Sequence, residues 1–246
     1  MKIFLHYKSI TLLLILIIMM VYPFLSLNPR VPNFSEYAAG KERKMAFFNY
    51  FAPLIDENNQ SIVTTRKQLL SWYANKNKIG WWDKQTLSDL VLQYRVKDFA
   101  IEDDSAWQRL LKKVDVLPPS LVLAQAANES AWGTSRFAKM ANNYFGQWCF
   151  KQGCGLVPKK RGVGEAHEVA AFETPNASLI SYLQNLNSHP AYKELRDIRF
   201  KLRTSNQPVT GNALAAGLVH YSERGEEYIE ELRAMIKFNQ LSKYDQ

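Results

Sequence analysis

The chain has 246 residues, 47% of them apolar and 22% charged, which is enough for a sizeable packed core and excludes a disordered chain. Its formal net charge of +8 suits an anionic polymer or surface without choosing between them. Lys2, Lys8 and Arg30 carry three of those charges in an N-terminal stretch that has no acid.

Between Lys8 and Arg30 nothing is charged, and "TLLLILIIMMVYPFLSL" is nearly all apolar. A positive n-region followed by a long apolar core is a secretory-type signal. "YPFLSLNPR" offers no good pair of small residues for cleavage. The apolar run nearly reaches the roughly 20 helical residues that span a hydrocarbon core. Residues 1–30 are therefore expected to be an uncleaved anchor with its positive end cytoplasmic. The rest would lie outside the cytoplasm, anchored to the inner membrane with a periplasmic body, or free in the periplasm if the signal is cut. "SLNPRVPNFSEY" reads as a Pro-containing linker.

From Lys41 to about Val116 the pattern is helical. "KERKMAFFNYFAPLI", "SIVTTRKQLLSWYAN", "DKQTLSDLVLQYRV" and "SAWQRLLKKVDV" carry apolar residues at three- and four-residue steps. Residues 31–104 form an N-terminal helical region in this reading, and 105–246 a second domain. High Trp and Phe content predicts that the helical arm packs on the rest. "LPPS" breaks the chain, and Pro119 starts a helix "LVLAQAANESAW" that should end at Gly133. "TSRFAKMA" restarts with Thr134 or Ser135 as N-cap. From Cys149 to about Phe172 a Gly-rich middle separates two short β-branched runs, which predicts a β-hairpin or flexible lobe. Helices resume at Asn176 and continue through "HPAYKELRDIRFKLR", "TGNALAAGLV" and "EEYIEELRAMIKFNQLS". Cys149 and Cys154 flank "FKQG", and outside the cytoplasm such a pair is a candidate disulfide. A zinc site would need two more ligands, so no metal is expected.

One carboxylate stands out. Leu121, Gln125, Glu129 and Trp132 share a helix face, and Glu129 falls in the last turn. The helix C-terminus disfavours an anion there, and apolar neighbours add a desolvation penalty. Both push its pKa up, and a glutamic acid still protonated near neutral pH can act as a general acid. The plainer alternative is a Glu facing solvent or paired with Arg136 or Lys139.

The wider stretch "AQAANESAWGTSRFAKMANNYFGQWC" resembles the glucosaminidase family of peptidoglycan hydrolases, whose members carry "ALES-WGTS", a second helix and "NN-FG". Here Glu129-Ser130, Trp132-Gly133-Thr134-Ser135, Asn142-Asn143 and Phe145-Gly146 match. The resemblance covers about Leu117 to Asn239. The helical arm, the cysteine pair and "NLNSHPAYKELR" look like the narrower Bax group of Gram-negative envelope proteins.

The resemblance implies a mainly α fold, with a lysozyme-like α core and a small β-hairpin lobe. It implies hydrolysis of the β-1,4 bond after N-acetylglucosamine in peptidoglycan, with Glu129 as the acid. It also brings a late aromatic in a Tyr-Ser/Ala-X-X-X-X-Tyr context; here "YSERGEEY", with five residues between Ser222 and the second tyrosine, would supply Tyr221, with Tyr228 second. Glycoside hydrolysis usually takes a second carboxylate. Glu168 is the first expectation and Glu165 the second, unless the sugar's own acetamido group serves. Ser130, Trp132, Asn143, Tyr144, Phe145, Gly146 and Tyr228 complete the expected substrate-binding set. Trp132, Tyr144, Phe145 and Trp148 could stack on sugar rings or fill the core beneath the groove; for Trp132 and Phe145 the reading leans to packing, for Asn143 to a turn role over a bond to an acetamido group, and Tyr144 and Trp148 are expected to be partly exposed. No phosphate loop, nucleophile elbow or zinc motif appears, so no cofactor is expected. The alternatives are a non-catalytic glycan-binding module of the same fold and a peptidoglycan amidase. A nucleic-acid binder conflicts with the export signal and lacks a basic stripe.

Overall fold

The computed structural model describes residues 30–159, 161–162 and 164–245. The expected anchor over residues 1–30 lies almost wholly outside them. Among the described residues no helix is long and apolar enough to cross a membrane. From Asn33 onward the chain forms one compact unit.

Helix α1 (Lys41–Ala74) runs 34 residues, about 51 Å at 1.5 Å per residue. The sequence pattern divided it at "DENNQ", but the structure does not. Those polar residues serve other elements: Asn59 bonds the backbone of Leu117 in both directions, and Asn58 reaches Asn176. The helix then joins two cores. Its first half supplies Phe47, Phe48, Phe51 and Ile55 to the main core. Its second half supplies Leu69 and Trp72 to a smaller cluster with α2 (Trp81–Gln93) and α3 (Asp104–Lys113), centred on Trp107. The supposed linker ends early, because Phe34 is buried among Phe47, Tyr50, Phe51 and Tyr144.

Helix α4 (Pro119–Ser130) is the central element and touches α1, α8 (Gly211–Leu214) and α9 (Glu226–Phe238). Pro119 occupies its first turn, where a missing N–H costs nothing. The helix stops at Ser130, three residues before the glycine that was expected to end it, and Ala131, Trp132 and Gly133 all take positive φ. Ser130 Oγ donates to the Ala126 carbonyl and accepts from Gly133 N–H, which closes this turn. Gly133 is required on two counts: its φ is +76°, and an added Cβ would lie 2.2 Å from the Phe34 ring. Ser135 caps α5 (Arg136–Ala141). The next long helix, α6 (Pro175–Ser188), is capped by Thr174 rather than Asn176, since the Thr174 hydroxyl accepts the Ala177 N–H.

The lobe is a three-stranded antiparallel sheet, not a hairpin. β1 (Trp148–Cys149) and β2 (Gly155–Leu156) both pair with β3 (Glu168–Ala170), which lies between them. Trp148 stands opposite Val169, and Gly155 opposite Ala170. A Cys149–Cys154 disulfide closes the β1–β2 loop.

Helix α7 (Lys193–Thr204) carries a buried basic node absent from the sequence reading. Arg199 is fully buried and donates to the carbonyls of Lys112, Asp115 and Val116 and to Asn187 Oδ1. Asp115 is paired to Arg203 at 2.6 Å. Burial lowers the Arg199 pKa to about 10, and the charge of Asp115 opposes that shift. The guanidinium therefore stays charged and ties α7 to the α3–α4 connection.

Candidate active site

Three segments converge on Glu129: the C-terminal turn of α4, the turn over residues 143–147, and the start of α9 with the loop before it. Glu129 is half-buried. Tyr228 Oη donates to its Oε1 at 2.7 Å. Gln125 Nε2, one helical turn earlier, donates to Tyr228 Oη at 3.0 Å, and Tyr182 Oη donates to Gln125 Oε1. Every donor in this chain points the same way, from Tyr182 through Gln125 and Tyr228 to Oε1. Gln125 and Tyr182 are fully buried, so the chain excludes water behind the carboxylate.

The other oxygen lies beside Gly146. A Cβ built on Gly146 would lie 3.3 Å from Glu129 Oε2, and Gly146 itself is exposed with φ +63°. Only glycine meets this conformation without strain while bringing bare backbone to the carboxyl edge. Asn143 holds the turn: its Nδ2 donates to the carbonyls of Gln147 and Ala170, and its Oδ1 accepts from the N–H groups of Phe145 and Gln147. Tyr221 Oη donates to the Phe145 carbonyl at 2.7 Å and pins the same turn from the other side.

Burial raises the Glu129 pKa. The Tyr228 hydrogen bond and the charge of Arg224 oppose that shift, the charge of Glu231 adds to it, and burial prevails. With Oε1 engaged as an acceptor, the proton of the neutral acid belongs on Oε2, at the exposed edge beside Gly146. Burial also raises the pKa of Tyr182, Tyr221 and Tyr228, so all three phenols remain donors. Neither Arg136 nor Lys139 bonds Glu129; Arg136 reaches the Val157 carbonyl.

The other expected site residues divide between contact with Glu129 and packing beneath it. Tyr228, at 1% exposed, holds the carboxylate with its hydroxyl and offers no face to a sugar. Tyr221, half-buried, stacks parallel on it at 5.6 Å and bonds the Phe145 carbonyl, so Tyr228 and not Tyr221 touches the carboxylate. Tyr144 is 2% exposed, packed against Phe51 and Phe34, and is not available for stacking on substrate. Phe145 is likewise buried, stacked on Tyr182 at 4.1 Å. Ser130 and Asn143 are buried and hold backbone turns. Trp132 packs edge-on to Phe47 and Phe48 with Lys44 over its ring.

Glu168, expected as the second catalytic group, is buried under the disulfide loop. Its Oε1 accepts from Gly153 N–H and its Oε2 from Gly155 N–H, and these bonds hold its pKa below the usual carboxylate value. Both oxygens are committed, so it acts as a strut of the lobe. Its neighbours Cys149 and Cys154 are disulfide-bonded and offer no thiolate to a metal. Glu165 Oε2 accepts from Gly162 N–H and lies 3.5 Å from His167 Nδ1, also within the lobe.

Gln125 and Tyr182 were not anticipated as part of the site. Gln125 had a visible signal, a polar residue four positions before Glu129 on the same helix face. Tyr182, far along the chain on α6, had none.

A family model described as mannosyl-glycoprotein endo-beta-N-acetylglucosaminidase matches residues 104–241. That span contains every member of the Glu129 chain and the turn that faces it. The chain belongs to the glucosaminidase family. Within the family it is Bax-like: it is 35% identical over 213 residues to Protein bax of Escherichia coli (strain K12), covering 85% of this chain and 74% of that protein. It also aligns with the crystal structure of the catalytic domain of the autolysin Auto from Listeria monocytogenes, at 19% identity and a TM-score of 0.42 over 86% of this chain and 92% of that one. Glu129 stands half-buried beside the Gly146 turn, which leads directly into β1 of the lobe.

Proposed function

We propose that the protein cleaves the β-1,4 bond after N-acetylglucosamine in peptidoglycan glycan strands, with Glu129 as general acid. The observation that carries this is the one-way hydrogen-bond chain onto Glu129 Oε1, which leaves Oε2, beside the exposed Gly146, to carry the proton of the neutral acid. Membership of the glucosaminidase family supports the bond type, and the excess positive charge suits an anionic polymer. The N-terminal apolar run supports a location outside the cytoplasm, at the inner membrane or in the periplasm.

The engagement of Glu168 and Glu165 within the lobe favours a route that needs no second protein carboxylate. The substrate's acetamido oxygen attacks the anomeric carbon as the glycosidic C–O bond breaks, and Glu129 gives its proton to the leaving oxygen. Water then opens the cyclic intermediate, and the Glu129 carboxylate takes the water's proton.

A zymogram on purified peptidoglycan with wild type and Glu129→Gln tests the assignment, with mass spectrometry of the products. Clearing by wild type alone, with N-acetylglucosamine at new reducing ends, is expected. Equal clearing by both proteins would remove Glu129 from the chemistry. Intact glycan strands with released stem peptides would make the protein an amidase. Pelleting with sacculi without clearing would make it a glycan-binding module.

A further inference from the structure

We propose that Trp148, backed by His167, is a flat sugar-binding platform beside the catalytic acid, at which a pyranose ring of the glycan strand stacks. This rests on the hydrolase reading and names a subsite within it. Trp148 is 57% exposed, whereas the other aromatics of the adjoining turn, Tyr144 and Phe145, are buried.

The ring is also held. The Trp148 and His167 rings lie 4.3 Å apart and within 8° of parallel. The Glu165 carboxylate lies 3.5 Å from His167 Nδ1. The strand register keeps the pair together, because Trp148 pairs with Val169 on β3 and His167 lies two residues before it, on the same side. The disulfide and the Glu168 bonds to Gly153 and Gly155 stiffen the loop that follows directly. An indole whose position is fixed in advance loses little entropy on binding.

The location suits a sugar. Gly146, against Glu129 Oε2, is two residues before Trp148, so their backbones are at most about 7 Å apart. Trp148 is thus within reach of a strand bound across Glu129. Phe150, also two residues away and exposed, extends the apolar surface along the lobe. A pyranose offers one face of C–H groups, and a flat indole accepts such a face while the sugar hydroxyls stay in water.

The test uses glycan strands freed of stem peptides by an amidase, titrated calorimetrically into the Glu129→Gln protein so that binding is read without turnover. Adding Trp148→Ala should weaken binding about tenfold, the effect of losing a buried aromatic anchor. Adding Trp148→Phe should restore most of the affinity, because it keeps a flat ring. His167→Ala should weaken binding less, and His167→Phe should recover the loss by restoring the stacked partner, an outcome a general folding defect would not produce. Equal affinity for the Glu129→Gln protein with and without Trp148→Ala, both folded by circular dichroism, overturns the platform, as does the absence of binding by the Glu129→Gln protein itself. Absence of turnover by the wild-type protein sinks the hydrolase reading instead, and a Trp148-dependent affinity would stand without it.

Discussion

Replacing Tyr228 by Phe removes one oxygen that sits between Gln125 and Glu129. The site is closed to water on that side, since Tyr228 is 1% exposed and Gln125 is fully buried. Gln125 Nε2 would lose its acceptor, and a buried donor left unsatisfied costs about 1–3 kcal/mol. Glu129 would lose one bond but is half-exposed, so water compensates in part. The net loss should be about 3 kcal/mol, which lowers the melting temperature by about 6–12 °C in a body of this size. The effect on catalysis has a sign that packing alone does not supply. A hydrogen bond donated to a carboxylate favours its ionised form, and here it opposes the rise that burial causes. Without it the pKa of Glu129 rises further. A general acid works while protonated, so the alkaline limb of the pH–rate profile should move to higher pH. Initial rates on glycan strands, measured from acid to mildly alkaline pH for wild type and Tyr228→Phe, check this. An alkaline limb that stays in place or moves to lower pH would refute the argument, whatever happens to stability.

Glu129→Gln should abolish turnover yet raise the melting temperature near neutral pH. A carboxyl whose folded pKa lies above its unfolded value penalises folding once pH exceeds the folded value, and the penalty disappears as pH falls below the unfolded one. Thermal unfolding should show the gain fading in acid. Gly146→Ala should cost about 1 kcal/mol for a left-handed non-glycine residue and crowd Glu129 Oε2, so kcat should fall about tenfold or more while the fold survives. Steady-state kinetics beside a denaturant titration would separate the two effects. Replacing Cys149 and Cys154 together by Ser opens a loop whose ends are 5 residues apart, and chain-entropy arguments put the loss at about 2 kcal/mol. Denaturant unfolding measures it, and reducing agent should lower wild-type stability but leave the double variant unchanged.

Much of the site was legible before any coordinates. Glu129 was conspicuous because a lone acid in the last turn of an apolar helix opposes both the helix dipole and desolvation. Local chemistry also marked Pro119 at the helix start, the Ser135 cap and the paired cysteines. These features depend on neighbours within a few residues, and neighbours are what a sequence lists. Tertiary packing decided the rest. It made α1 continuous through "DENNQ", because Asn58 and Asn59 have partners more than 50 residues away. It also decided which tyrosine touches the acid: Tyr221 and Tyr228 lie on one short segment, and only the docking of α9 against α4 brings the second hydroxyl to Glu129. Glu168 is the same case in reverse. Strand alternation gave it a face, but the backbone N–H groups that engage it come from a loop whose course the disulfide and the central position of β3 determine. Residue type and spacing set which groups can carry a proton, whereas long-range contacts set which oxygen each group meets.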